Sequence, residues 1–368
     1  MTYHIFSLQM LGFFLAAMAV VWNDSIQTLG TFISSNRGAL RWQTLWMGAS
    51  IVLVAVVWYG WYANGGDISY GRLNRIPYQE VQWFHVVAPA FLLLVTWVGI
   101  PVSTSFLVLA AFSSSVVLEA MVWKSLGGIF AGACSAFALW LLLASVVKRI
   151  RVPWTLSPRA EKWARIAQAC STALLWAMWL VQDMSNIAVY LPRDMSGMTL
   201  VFVLAVLVIG LGFVFWANGG KIQHIVKSKT NTRFVISATI VDLVYALVLY
   251  YFKEYSDVPM STTWVFVGIL AGREAAIRMV LPTKKARKLI PMLVADISKL
   301  IFGAAASVGI ALAIHNRWNE VADLFREYPA LWLLLVSILV VAVWANHEHH
   351  VVDAPETEET PRTGSSVP

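Results

Sequence analysis

Ile100-Pro101-Val102-Ser103-Thr104-Ser105 recurs in the same chain as Val258-Pro259-Met260-Ser261-Thr262-Thr263. The two prolines are 158 residues apart. An acidic residue in an apolar stretch precedes each copy, Asp24 the first and Asp183 the second, 159 residues apart. A third pair, Ala63-Asn64-Gly65-Gly66 and Ala217-Asn218-Gly219-Gly220, is offset by 154. Three landmarks in one order at nearly one offset mean a duplicated unit. In a membrane protein, such a duplication places a transport site where the copies meet.

Composition points to the membrane. Apolar residues make up 59% of the chain and charged residues only 13%, against roughly 25% charged in a soluble domain. Val81–Leu118 holds no Asp, Glu, Lys or Arg. That run is nearly twice the ~20 residues one helix needs to cross a bilayer, so it folds back, and Pro101 is the natural break. Trp42–Gly66, Ser125–Val147, Gly197–Gly220 and Tyr328–Asn346 are further uncharged runs. The 18 tryptophans gather near segment ends, as at Trp58, Trp61, Trp83 and Trp216, which suits an interfacial aromatic belt. Ile5–Val21 lacks a basic leader and is followed by Asn23 and Asp24, so it reads as a retained span. Cys134 and Cys170 form no framework and read as small buried apolar residues.

The predicted fold is all-α and polytopic. Eleven apolar segments fall at about 5–33, 43–63, 83–100, 103–122, 126–147, 166–190, 198–217, 234–252, 261–280, 291–314 and 329–346. Residues 1–150 form one membrane repeat and 151–315 the second. Residues 316–346 add one helix, and 347–368, rich in Glu, Thr, Pro and Ser, read as a disordered tail. If every segment crosses, one side carries Arg37, Arg41, Lys148, Arg149, Arg151, Arg159, Lys162, Arg165, Lys221, Lys227, Lys229, Arg233, Lys284, Lys285, Arg287, Lys288 and Arg362. The other carries only Arg72, Arg75, Lys124, Arg193, Lys253, Arg317 and Arg326. The positive-inside bias puts the first set in the cytoplasm, the N-terminus outside and the C-terminus inside. An odd number of segments per unit inverts the second repeat. Re-entrant limbs at Pro101 and Pro259 would remove two crossings per unit and keep that parity. The net charge of +7 belongs to these loops and calls for no nucleic-acid partner; the compact loops suit a bacterial inner membrane.

Each Pro-x-Ser-Thr copy ends one helix and begins another. At a helix start the first backbone N–H groups are unpaired and the macrodipole adds partial positive charge. With the hydroxyls of Ser103, Thr104, Ser105, Ser261, Thr262 and Thr263, two such starts make a cradle for a tetrahedral oxyanion. The same serines can instead cap their helices. Asp24 and Asp183 are carboxylates inside apolar segments, a functional hypothesis by default. Amides flank both: Asn23 and Gln27 the first, Gln182 and Asn186 the second. Gln27 and Asn186 follow their Asp by three residues, on the same helical face. Carboxylate and amide oxygens are hard ligands suited to Na⁺, and a buried carboxylate can equally carry H⁺. The pattern reads as a symporter, with Asp24 and Asp183 holding the coupling ion.

These motifs resemble those of the inorganic phosphate transporter (PiT) family. Asn23-Asp24-Ser25-Ile26-Gln27-Thr28-Leu29-Gly30-Thr31 is similar to its N-D-x-A-N-A-x-G-T signature, and Gln182-Asp183-Met184-Ser185-Asn186-Ile187 to the second copy. Gly99–Ser105 and Pro259–Thr263 resemble its G-x-P-V-S-T-T-H motifs. The resemblance implies cation-coupled phosphate symport, inverted repeats and a homodimer. It places phosphate between the two Ser-Thr motifs, with Gln27 and Asn186 beside it, and the cations at Asp24 and Asp183 with Asn23 and Gln182. This chain carries Gln27 for the family's Asn, Gln182 for Asn, Ser105 for Thr, and Phe106 and Trp264 for the closing His.

Other polar residues read as structural. Asp296 and Lys299 form a local helical pair; Arg273, Glu274 and Arg278 a cytoplasmic charge cluster or a gate; Ser113-Ser114-Ser115 a close-packing stretch. Asp242 and His85 have no role beyond helix contacts or a proton path. His347, His349 and His350 belong to the solvated tail. Three functions remain open: a phosphate symporter, a transporter of another oxyanion such as sulfate, or a membrane subunit that keeps the fold without transport. No H-E-x-x-H, G-x-S-x-G, Cys/His constellation or P-loop occurs, so neither an enzyme, a cofactor nor ATP-driven transport is expected.

Overall fold

A computed structural model gives the fold, and it describes residues 2–36, 38–98, 102–150, 157–217, 219 and 235–280, with the single residues 298, 301, 305 and 309. The described elements are α1 (Thr2–Ala19), a π-turn (Val20–Asp24), α2 (Ser25–Asn36), α3 (Trp42–Ala63), α4 (Trp83–Val98), α5 (Thr104–Ala110) and α6 (Ser115–Ile150) in the first unit. The second contains α7 (Pro158–Asp183), α8 (Ser185–Ala188), α9 (Gly197–Trp216), α10 (Val235–Tyr255) and α11 (Thr262–Val280). Among the described residues, six stretches are long and apolar enough to cross a bilayer: Leu8–Asn36, Trp42–Ala63, Ser115–Leu143, Pro158–Ala188, Gly197–Trp216 and Val235–Tyr255. The chain is thus an all-α integral membrane protein. Large apolar side chains stand on its outer surface, among them Trp58, Trp83, Trp123, Trp163 and Trp216, as a lipid-facing exterior requires. Cys134 and Cys170 lie on that exposed surface. The expectation that they are buried is therefore corrected; a helix face turned to lipid admits small residues as readily as a core does.

Both units place a helix interrupted at its Asp first, then a long apolar helix, then a helix leading into Pro-x-Ser-Thr. The segments expected at 103–122 and 126–147 are different in the structure. α5 is only 7 residues long, and α6 begins at Ser115 and runs for 36. The reason is local. Ser113 Oγ donates to Leu109 O at 2.7 Å, and Ser114 Oγ accepts from Val117 N at 3.4 Å. Hydroxyls so placed compete with the helix ladder and cap the next helix. At the matching positions the second unit has Ala271, Gly272 and Arg273, and α11 runs on unbroken to Val280. The serine triplet is a helix break rather than a packing surface. A second difference lies in the interrupted helices. The first continues to Asn36, whereas α8 stops at Ala188, shortly before Pro192, which cannot extend a helix.

Tryptophan N–H groups tie the long helices together. Trp176 Nε1 donates to Ala49 O at 3.1 Å, joining α7 to α3, and Trp46 Nε1 donates to Val208 O at 2.9 Å, joining α3 to α9. Ala63-Asn64-Gly65-Gly66 ends α3 in a turn. Gly66 sits at φ +104°, and a Cβ there would lie 2.8 Å from Met195 N. The most intimate contact is between α6 and α11. A Cβ on Gly268 would strike Ile129 O, and one on Gly272 would strike Ala133 O. From the other side, a Cβ on Gly132 would lie 3.0 Å from Val265 O. Small residues four apart let two backbones touch. Apart from the single residues 298, 301, 305 and 309, the 291–314 segment, the helix expected at 329–346, the tail, and the Asp296–Lys299 pair lie outside the described residues.

Candidate functional site

The two interruptions and the two Pro-x-Ser-Thr helix starts meet in the interior. The π-turn ends on Asp24, with Ser25 N bonded to Val20 O and Ser25 Oγ donating to Val21 O. Such turns shift the helical register and frequently mark functional positions. Here the turn places Asn23 and Asp24 against the first motif. Asn23 Nδ2 donates to Val102 O at 3.0 Å, to Thr104 Oγ1 at 3.4 Å and to Asp24 Oδ1 at 2.7 Å. In the second unit the break follows Asp183, and contacts cross between units. Ser105 Oγ donates to Asp183 Oδ1 at 2.7 Å, and Asn186 Nδ2 donates to the same oxygen at 3.1 Å and to Ser105 Oγ at 3.3 Å. The Thr262 hydroxyl also bonds Asp183. The first motif and the second carboxylate therefore share one centre. Asp24 and Asp183 are close enough to repel each other.

Ser103 and Ser261 do what helix chemistry dictates. Ser103 Oγ accepts from Phe106 N at 3.3 Å, and Ser261 Oγ accepts from Trp264 N at 3.2 Å. Both are caps, and each hydroxyl proton stays available to donate. Gln182 is buried, with Nε2 donating to Leu249 O on α10 at 3.0 Å. Tyr245, also on α10, donates to Thr262 O at 2.8 Å and braces the second motif. Thr263 is buried beside these groups. Where a closing His would stand, Phe106 and Trp264 meet ring to ring at 5.2 Å, an apolar contact that joins the two motif helices.

The polar atoms of this centre do not balance. Asn23 Oδ1, Asp24 Oδ2, Gln27 Oε1, Gln182 Oε1, Asp183 Oδ2 and Asn186 Oδ1 are all buried, with no hydrogen-bond partner among the described residues; of the amide donors on these side chains, Gln27 Nε2 is in the same state. Buried polar groups are normally paired. Unpaired oxygens outnumber unpaired amide donors on these side chains six to one, an environment that favours positive charge. The described residues hold no cluster of three or more His, Cys, Asp or Glu. The donor set of carboxylates, amides and hydroxyls is that of a hard, oxygen-loving ion.

Three residues that sequence reading placed elsewhere also reach the site. Lys124 reads as a loop residue between two apolar segments, but it stands inside α6 and is buried. Its Nζ donates to Ser256 O and Val258 O, each at 2.6 Å. Ser125 Oγ accepts from Ser261 N at 2.9 Å. Arg72, in the loop after α3, is 1% exposed, and its Nη1 donates to Ser256 O at 2.5 Å. Burial holds its guanidinium below the ordinary range, while Asp257, Asp183 and Glu254 pull it back up. The only sequence signal for Lys124 is its isolation, one charge between uncharged runs.

Asp242 is fully buried apart from this centre. Oδ1 accepts from Thr31 at 2.7 Å and Oδ2 from Thr172 at 2.5 Å, so it joins α10 to α2 and α7. His85 accepts from Gln82 N at 3.0 Å and stacks on Phe112 at 4.2 Å. Arg273 lies over the Trp140 ring at 5.5 Å, which makes it a packing contact between α11 and α6.

Comparison with known protein families and with curated proteins finds no match. Comparison with solved structures finds one titled "The sodium-dependent phosphate transporter", with TM-score 0.59 and 17% identity over 88% of this chain and 100% of that one. The likeness is one of fold. At that identity it carries the arrangement of helices, and the chemistry of the centre rests on the residues above.

Proposed function

We propose that this chain is a secondary transporter that moves inorganic phosphate across the membrane by symport with Na⁺. The observation that carries the reading is that six buried acceptor oxygens, on Asp24, Asp183 and the amides that flank them in sequence, lack partners among the described residues. Protonating both carboxylates gives one O–H donor each, too few for the four amide oxygens of Asn23, Gln27, Gln182 and Asn186. An alkali cation is ligated by both kinds, which favours Na⁺ over H⁺. With the cation in place, the negative charge of two carboxylates is offset, and an anion is tolerated beside them. The helix starts at Thr104 and Thr262 then offer N–H and hydroxyl donors to the phosphate oxygens. The fold shared with a sodium-dependent phosphate transporter supports the same reading. The repeats are inverted in this proposal, so that the two motifs approach the site from opposite faces.

The test is uptake of radiolabelled phosphate into proteoliposomes under an imposed Na⁺ gradient, a pH gradient, or both, with sulfate as competitor. Na⁺-driven uptake that sulfate leaves intact is expected. Uptake driven by the pH gradient alone overturns the choice of cation. Sulfate uptake in place of phosphate overturns the choice of substrate, and no uptake of either under any gradient returns the chain to the scaffold reading. Ser105→Ala removes the hydroxyl that links the first motif to Asp183. Loss of a hydrogen bond to a charged group is worth about 1.5–3 kcal/mol, so the phosphate KM is expected to rise roughly tenfold or more. An unchanged KM counts against the cradle.

A further inference from the structure

The acceptor-rich centre has a counterpart rich in donors. Arg72 and Lys124 both donate to one carbonyl oxygen, that of Ser256. Two cations on one atom stand within a few ångströms of each other. Both are buried, at 1% and 6% exposure. No carboxylate lies at ion-pair distance from either among the described residues. Asp257 acts on both, but it is exposed and forms no ion pair with them. Glu254 is engaged by Lys253 at 2.6 Å. Donors remain: Arg72 Nε is buried without a partner among the described residues, and Lys124 places two of its three N–H groups on carbonyls. Burying two like charges side by side is costly unless a negative charge joins them. Carbonyl oxygens alone offset this poorly.

The pair also lies in a telling place. Ser256 and Val258 lead directly into Pro259 and the second motif, and Ser125, next to Lys124, holds Ser261 N. The cations therefore hold the carbonyls of the segment that leads into the second helix start. We propose that Arg72 and Lys124 form a second anion site, separate from the cradle, that takes a tetrahedral oxyanion such as inorganic phosphate and passes it to Ser261–Thr263. This inference rests on the phosphate-transport reading. The Arg fork and the Lys point charge complement each other on such an ion, one supplying geometry and the other charge. In the bound state the anion takes Arg72 Nε–H and the third Lys124 N–H, and it neutralises the pair. A way-station of this kind raises the local concentration of anion at the cradle and speeds its capture.

The test is equilibrium binding of radiolabelled phosphate to the purified full chain in Na⁺ buffer, with uptake kinetics in parallel. Wild type is expected to bind two phosphates per chain. Arg72→Gln with Lys124→Met is expected to remove one site and raise the uptake KM about tenfold, with kcat within twofold. Ser105→Ala is expected to weaken the other site alone. Arg72→Lys with Lys124→Arg, which keeps both charges, is expected to retain two. If the double variant fails to fold, Lys124→Met alone weakens the second site, because Met keeps the apolar stem and drops only the charge. One phosphate per chain in wild type, weakened by Ser105→Ala and untouched by the Arg72–Lys124 variants, overturns this proposal and leaves the transport reading standing. No phosphate binding at all overturns both.

Discussion

Asp183→Asn is expected to abolish Na⁺-driven phosphate uptake, to below about one hundredth of wild type, a loss of more than about 2.7 kcal/mol at the transport step. The substitution is isosteric, so the protein should still insert and elute as a single species in detergent. The loss comes from chemistry at one oxygen. Asp183 Oδ1 accepts from Ser105 and Asn186 together, and Thr262 bonds the same carboxylate. An amide supplies one acceptor and one donor. Placed here, it either turns an N–H towards these donors or leaves its oxygen alone to satisfy them. It also removes one of the two charges that make the six-oxygen centre attractive to a cation. The cation site, the first motif and the second motif all lose a partner in a single change. The check is uptake per milligram of reconstituted protein, with size-exclusion elution as the folding control. Uptake within a fewfold of wild type would show that Asp183 does not hold the coupling ion.

Gly272→Leu is expected to have the largest effect on folding. A Cβ at this position would strike Ala133 O, and one at Gly268 would strike Ile129 O. The obstacles are backbone atoms in the middle of α6, which cannot rotate away as a side chain end does. Overpacking of ordinary sites costs about 1–3 kcal/mol. Here two helices must separate over their whole contact, so the cost is expected to exceed that range. The measurement is the fraction of expressed protein recovered as a monodisperse peak. Gly48→Leu is the matched control, because nothing stands within 4 Å of a Cβ at Gly48, and it should leave recovery unchanged. Equal recovery of both variants would mean that α6 and α11 are not in backbone contact.

Sequence reading reached most helices because hydrophobicity alone marks them. The stretches expected at 198–217 and 261–280 became Gly197–Trp216 and Thr262–Val280. It set the start of α7 at residue 166, whereas the helix begins at Pro158, capped by Ser157 Oγ on Ala160 N. The first two turns there carry Arg159, Glu161, Lys162 and Arg165 and are polar, so an apolar window cannot see them. The split of 103–147 went astray for the opposite reason. Lys124 looked like a loop, yet a lone Lys can stand in an apolar helix when backbone carbonyls receive it. The residues of the centre were legible because polar side chains in apolar segments stand out. Their division of labour was only partly so: the Ser103 cap is a local contact with Phe106, but that Ser105 reaches Asp183 depends on a contact between residues 78 apart. Arg72 and Lys124 were invisible as a pair for the same reason.

The glycine seam between α6 and α11 has a mechanical consequence. Where backbone rests on backbone, there are no side chains to yield, and sliding or widening breaks contact at once. The two helices therefore travel as one solid block. That block carries the second motif on α11, and Lys124 and Ser125 on α6. The first motif belongs to a different piece, since α5 is short and is set apart from α6 by the serine turn. On the transport reading, a motion that opens the centre to one side and then the other runs along the boundary between these pieces, where the Phe106–Trp264 ring contact joins α5 to α11. The duplicated motifs are thus a fixed jaw and a free one, and the sequence difference that divides them is three serines.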